Sequence, residues 1–190
     1  MSTFNASEYG PAIADIIDGT SLMPLGPGNP DTSAEHALKT FNPTSAFQPH
    51  TITDAKMAEA CHSALWLYHN YLDISHTISQ GIETSTGSYW HGIMHRREPD
   101  YSNSKGWFRR TGDHPIFPAL QAAAADIAAI YATDDAAAFL TSQSDWDPDA
   151  FIDLCDAAHN GRVPLVDLCK QIQQREWELL FDYSYKAAIG

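Results

Sequence analysis

The sequence predicts an all-α protein, an irregular bundle of about five to seven helices with a proline-rich arm near the N-terminus. Three observations carry this expectation. No stretch shows the sustained apolar–polar alternation, β-branched enrichment and turn punctuation of a strand. The run from Asp54 to Gln80 contains neither Gly nor Pro and is rich in residues that favour helix. Elsewhere Pro and Gly stand mostly where helices would begin and end.

In chain order, Ala12 to Asp18 has the spacing of a short helix, which Gly19 would end. From Thr20 to His50 the chain holds Pro24, Pro27, Pro30, Pro43 and Pro49 with Gly26 and Gly28, and should wrap as an irregular arm, because each proline removes a donor and biases its predecessor away from helix. Asp54 to Gln80 reads as one helix of roughly seven turns, stopped by Gly81. A second helix spans about Ser85 to Glu98 before Pro99, and a third Asn103 to Thr111 before Gly112. Pro115 and Pro118 introduce an alanine-rich helix ending near Tyr131. Asp147-Pro148 pairs an N-cap residue with proline at the first helical position, opening a helix that Asn160-Gly161 closes. The last helix runs from Pro164 to about Ala188, with Leu168, Ile172, Trp177, Leu180 and Phe181 near helical spacing.

Composition narrows the function. At 190 residues, 44% hydrophobic and 18% charged, the chain suits one compact domain covering residues 1–190. Eleven Lys and Arg against 24 Asp and Glu give a net charge of -13, so nucleic acid is not an expected partner. Cys61, Cys155 and Cys169 are odd in number and lack CxxC spacing, which indicates neither a disulfide framework nor a thiolate zinc site. No signal-like leader and no run of eighteen apolar residues occurs, so the expectation is a soluble, cytoplasmic protein without a membrane partner. The G-x-S-x-G, Walker and dinucleotide-glycine patterns are absent.

The unusual chemistry falls between residues 54 and 115. Six of nine histidines, His62, His69, His76, His91, His95 and His114, lie there. From His91 to His114 five basic residues, Arg96, Arg97, Lys105, Arg109 and Arg110, stand against Glu98, Asp100 and Asp113, a net of +2 where the rest of the chain carries -15. A positive zone of this kind in an acidic body suits a small anion, since guanidinium pairs bidentately with carboxylate or phosphate. The same arginines also suit internal ion pairs.

His91, His95 and Glu98 at i, i+4 and i+7 share about 60° of helix arc. Two imidazoles one turn apart can chelate one divalent metal ion. The position after His91 is Gly92, not the Glu of a zinc protease, and Gly92 would admit a ligand or a second backbone. On a continuous first helix Glu59, His62, His69, Asp73 and His76 would share about 100° of arc. Together with Asp156-x-x-His159, these pairs echo the carboxylate–imidazole spacing of di-metal bundles, although the additional bridging glutamates are missing. Cys61 beside His62 points to another side of the helix and reads as core.

The stretch Tyr89-Trp90-His91-Gly92-Ile93-Met94-His95-Arg96-Arg97-Glu98-Pro99-Asp100-Tyr101-Ser102-Asn103, continued by Lys105, Trp107-Phe108-Arg109-Arg110, Gly112 and His114-Pro115, resembles a family of uncharacterised proteins. The likeness covers roughly residues 70 to 120 and implies no reaction and no catalytic residue. The family's pattern has an aromatic residue where this chain has Gly106.

So many polar groups in fifty residues are costly to bury without partners, and a polar-lined pocket would supply them. Trp90, Tyr101, Trp107 and Phe108 are candidate walls, and Tyr89 is a candidate ligand contact. His76, Arg96, Arg97, Asn103, Lys105, Arg109 and His114 are candidate ligand contacts. The expectation is a small-molecule-binding protein, enzymatic or not, with a small anionic ligand. His91 or His95 would then act as general base or metal ligand, Glu98 would orient an imidazole, and Arg97 and Arg109 would hold the anion. Two alternatives stand beside it: a non-catalytic module whose His/Arg/Glu cluster is a buried network, and a metal-dependent enzyme using His91 and His95 with a divalent cofactor. Haem has no motif behind it.

Overall fold

The computed structural model describes residues 4–17, 22–131 and 135–190. These form eleven α-helices and no strand: α1 Pro11–Ala14, α2 Glu35–Thr40, α3 Pro43–Ala46, α4 Ala55–Tyr68, α5 Leu72–Gln80, α6 Ser85–Arg97, α7 Tyr101–Thr111, α8 Phe117–Tyr131, α9 Phe139–Ser142, α10 Pro148–His159 and α11 Val166–Ile189. The helix count thus exceeds the expected five to seven. Four of the helices, α1, α2, α3 and α9, have only four to six residues. Two of these, α2 and α3, lie between residues 20 and 50, so the arm is not wholly irregular. Pro43 sits at the first position of α3 behind Asn42, whose side chain accepts from Thr44 N, so proline here starts a turn of helix. The first short helix ends at Ala14 rather than Asp18; Asp18, Gly19 and Thr20 lie outside the described residues.

The larger correction concerns residues 54–80, which form two helices. After α4 the chain turns through His69, Asn70 and Tyr71, with Asn70 at φ 65, a left-handed conformation that Asn tolerates at a helix end. Tertiary partners hold the turn open. Asn70 Nδ2 donates to the carbonyl of Asn29 (2.9 Å), Asn70 Oδ1 accepts from Arg97 (2.6 Å), and the His69 ring lies between Asp31 Oδ2 (3.0 Å) and the carbonyl of Ile16 (2.7 Å). Good helix propensity across the segment is overridden by the partners waiting outside it.

Caps fix the other boundaries. Asp54 accepts from Lys56 N and Met57 N, Thr84 from Gly87 N, Asp100 from Asn103 N and Asp147 from Ala150 N ahead of Pro148, each satisfying amides that have no partner inside the helix. Two apolar clusters meet along α11. Its later half places Trp177, Leu180, Phe181 and Tyr185 among Leu65, Trp90 and Met94, while its first half places Leu168, Cys169 and Ile172 among Leu120, Phe151 and Leu154. Cys61, Cys155 and Cys169 are free, buried thiols, and burial pushes the Cys61 thiol far up. No helix among the described residues is long and apolar enough to cross a membrane.

The α5–α6–α7 region builds the candidate site. α5 and α6 are joined by the short turn at Gly81–Thr84, which brings His76 across from His91 and His95. α7 packs on α6 at Gly92, where a Cβ would stand 2.9 Å from the Phe108 ring, and Ser104 Oγ donates to the carbonyl of Gly92 (2.8 Å). The missing side chain therefore admits a neighbouring helix, and that close approach lays Asn103 and Trp107 over the histidines.

Candidate metal centre

His76, His91 and His95 each offer a ring nitrogen, and the three atoms lie within 4.8 Å of one another. The rings pack edge to face, with centroids 4.6 Å apart for His76 and His91, 5.1 Å for His76 and His95, and 4.7 Å for His91 and His95. His91 and His95 are buried and His76 is half-buried. The Nε2 atoms of His91 and His95 face each other at 3.0 Å.

The outer nitrogens are both anchored. Ser79 Oγ donates to the carbonyl of His76 (3.2 Å) and lies 2.9 Å from His91 Nδ1. With its own hydrogen so placed, Ser79 accepts from Nδ1–H and leaves His91 Nε2 as a lone pair. His95 Nδ1 lies 3.3 Å from Glu98 Oε2 and 4.0 Å from Asp100 Oδ2, so Nδ1–H points to carboxylate and Nε2 again holds a lone pair, which Asn103 Nδ2 approaches at 3.1 Å. Two lone pairs thus converge. Burial, reinforced by His95, His76 and Arg110, pulls the His91 pKa down to about 3. Burial also lowers that of His95, against the opposing effect of Glu98.

An ion bound at about 2.0–2.1 Å by imidazole nitrogens tolerates ligand separations no greater than about 4.2 Å. The facing pair already satisfies this. A separation as wide as 4.8 Å would need a small inward shift of half-buried His76. The second half of the usual arrangement, a hydroxyl or carboxylate behind each imidazole, is present for His91 and His95.

The other expected site residues lie elsewhere. Tyr89 Oη donates to Glu176 Oε1 (3.0 Å), inside the core. Trp90 Nε1 donates to Ser184 Oγ (3.1 Å) and its ring packs on Trp177. The Arg96 guanidinium meets both Glu176 carboxylate oxygens, and both residues are fully enclosed. Arg97 donates to the carbonyls of Gly26 (2.9 Å) and Pro27 (3.2 Å) and to Asn70, fastening the arm to α6. Tyr101 Oη is buried with no hydrogen-bond partner. Lys105 pairs with Asp153 (2.6 Å), and exposed Arg109 with Asp149 (3.9 Å). His114 is buried among Tyr89, Phe117 and Tyr183. Of the expected residues, the structure gathers His76, His91, His95, Glu98, Asn103 and Trp107.

The residues imagined on one face of a continuous first helix are dispersed. His62 accepts from Trp66 Nε1 (2.8 Å) and stacks on Phe41, His69 binds the arm, and Asp156 pairs with Arg162 and Asn160. Ser79 and Glu176 went unnoticed in the sequence, and Arg110 counted there only among the basic residues of the positive zone. Ser79 had a local signal, since on α5 it lies three residues beyond His76, on the same side. Glu176 had another, a carboxylate inside the apolar stripe of α11.

Comparison with family models, with curated proteins and with solved structures gives no match to the chain.

Proposed function

We propose that this protein binds a divalent transition-metal ion through His76, His91 and His95 and carries out metal-dependent chemistry there. The observation that carries the reading is the pair of Nε2 atoms at 3.0 Å, each imidazole held from behind by Ser79 or Glu98. Two lone pairs at that distance repel unless a cation or a shared proton lies between them. The low basicity of both rings keeps them neutral near pH 7, and the contacts of Ser79 and Glu98 at Nδ1 favour the tautomers whose Nε2 is free to ligate. Imidazole nitrogen suits zinc, copper, nickel and iron. Three protein ligands leave a position for water or a substrate oxygen, which is the pattern of catalytic centres rather than structural ones.

The network reading is favoured for a different set of residues. Tyr89 and Arg96 bond Glu176 in the core, and Arg97 bonds the arm's carbonyls, while Arg96 Nε and Arg97 Nη1 stay buried without a hydrogen-bond partner among the described residues. Both guanidinium groups are fully enclosed, so a small anion would have to open the core to reach them, and the anionic ligand expected from the sequence fits better as a guest of the metal.

Elemental analysis of tag-free protein tests the proposal. One equivalent of zinc, cobalt or nickel is expected after loading and dialysis, and it should be lost in His91→Ala and His95→Ala while the far-ultraviolet helix signal persists. Wild-type protein that retains no metal under these conditions refutes the proposal.

A further inference from the structure

Asn103, Trp107 and Arg110 stand at i, i+4 and i+7 on α7, the same spacing that unites His91, His95 and Glu98 on α6. Both triplets occupy one narrow helical face, and the two faces meet. Trp107 lies on His91 with ring centroids 4.0 Å apart, Asn103 reaches His95, and the Arg110 guanidinium lies 4.5 Å above the Trp107 ring centroid.

Arg110 is exposed, and unlike its neighbours Lys105 and Arg109 it forms no ion pair among the described residues. In a chain with 24 carboxylates, this cation rests on an indole beside the histidine cluster. The stacking orders its long side chain while leaving its N–H donors unpaired by carboxylate. Asn103 adds an amide donor on the same face.

We propose that the three-histidine centre takes a small oxyanion, one oxygen on the metal and the others held by Arg110 and Asn103. This rests on the metal reading above. Guanidinium offers the planar fork that carboxylate and phosphate fit, and the Trp107 ring supplies an apolar wall. Glu98 and Asp100 sit behind His95, but a divalent ion together with Arg110 outweighs them. The ligand class is therefore a small carboxylate or phosphoryl group.

The test uses protein loaded with cobalt(II), whose visible absorption reports its coordination. Acetate and inorganic phosphate are titrated separately into wild type, Arg110→Ala and Arg110→Lys. Cobalt should bind equally to all three proteins. At least one anion should change the wild-type spectrum with saturation, and its apparent Kd should rise about tenfold or more in Arg110→Ala and less in Arg110→Lys. Saturation by acetate alone marks a carboxylate ligand, and by phosphate alone a phosphoryl one. Cobalt binding with no response to either anion, or an equal Kd in wild type and Arg110→Ala, overturns this inference and leaves the metal centre standing. Failure of wild type to bind cobalt overturns both.

Discussion

Ser79 Oγ stands 2.9 Å from Nδ1 of His91 while giving its own hydrogen to the carbonyl of His76, one turn earlier on α5. A single buried hydroxyl thereby ties the backbone beneath one proposed ligand to the ring of another, and fixes which nitrogen of His91 is free. Hydrogen-bond partners of this kind typically change metal affinity by about 10- to 100-fold. Ser79→Ala should weaken zinc affinity within that range, read by competition with a chromophoric chelator. Its urea midpoint without metal should fall as well, by the equivalent of about 1–3 kcal/mol, because His91 Nδ1–H is left buried without an acceptor, so affinity is compared where both proteins are folded. Unaltered affinity would show that the hydroxyl does not orient the ring.

The Arg96–Glu176 pair makes the opposite prediction, large for stability and indirect for the site. Both residues are fully enclosed, Tyr89 donates to the same carboxylate, and Gln173 lies 3.5 Å from Arg96. Burial alone would lower the Arg96 pKa, but Glu176 outweighs it and holds the guanidinium above its ordinary value. Removing one partner strands the other's charge in the core, at a cost of about 3–5 kcal/mol. Glu176→Gln should therefore lower unfolding free energy by that order in urea titration. Arg96→Met combined with Glu176→Leu should recover much of the loss, since a packed apolar pair avoids the stranded charge. A double variant no more stable than Glu176→Gln would mean that the network as a whole, with Tyr89 and Gln173, sets the packing.

What the sequence shows of the site is divided by range. His91, His95 and Glu98 are legible because helix geometry alone places them together. His76 is a candidate by residue type alone, because its place across from them comes from the α5–α6 turn at Gly81–Thr84, while the break at Asn70 that parts α5 from α4 is settled by Asn29 and Arg97, both far away in the chain. The same holds for the arginines: a guanidinium that will bind an anion and one that will bind Gly26 and Glu176 look alike in the sequence. In the fold, capping residues such as Asp54, Thr84 and Asp147 are short-range and mark their boundaries well, while the short helices inside the arm depend on burial of Leu38, Ala46 and Phe47 that no local pattern displays.

Asn70 gives this a measurable form. Its left-handed backbone is cheap for Gly and costly for Ala, while its side chain binds both the arm and Arg97. Asn70→Gly keeps the turn but loses the bonds, and Asn70→Ala loses both. Each lost hydrogen bond is worth about 1 kcal/mol, more where it involves charged Arg97. Both variants should be destabilised by roughly 1–3 kcal/mol, with Asn70→Ala the worse by about 1 kcal/mol. Equal losses would mean that the side-chain bonds alone matter, and that the arm, rather than the turn, is what Asn70 serves.

His114 sets a pH dependence that is independent of any metal. Its Nδ1 accepts from Ile116 N (3.4 Å) and its Nε2 lies 3.2 Å from Thr86 Oγ1, so the neutral ring is the bonded form, and a proton on Nδ1 would break the first of these contacts. Burial pulls its pKa down to about 4, against about 6.5 in an unfolded chain. Above pH 6.5 neither state binds a proton here and the contribution is fully present. As pH falls from 6.5 to 4 the unfolded chain gains the proton and the folded one does not, so stability declines; below 4 both states are protonated and this contribution is flat. The loss is at most roughly 3–4 kcal/mol. Carboxylates and the other buried histidines titrate nearby, so the informative quantity is a difference. In chelator-treated protein, the fall in unfolding free energy between pH 7 and pH 4.5 should be smaller in His114→Gln than in wild type, even though the variant is less stable at pH 7. Parallel profiles for the two proteins would show that His114 accepts its proton in the folded state as readily as in the unfolded one, and that the Thr86–His114–Ile116 contacts do not hold the ring neutral.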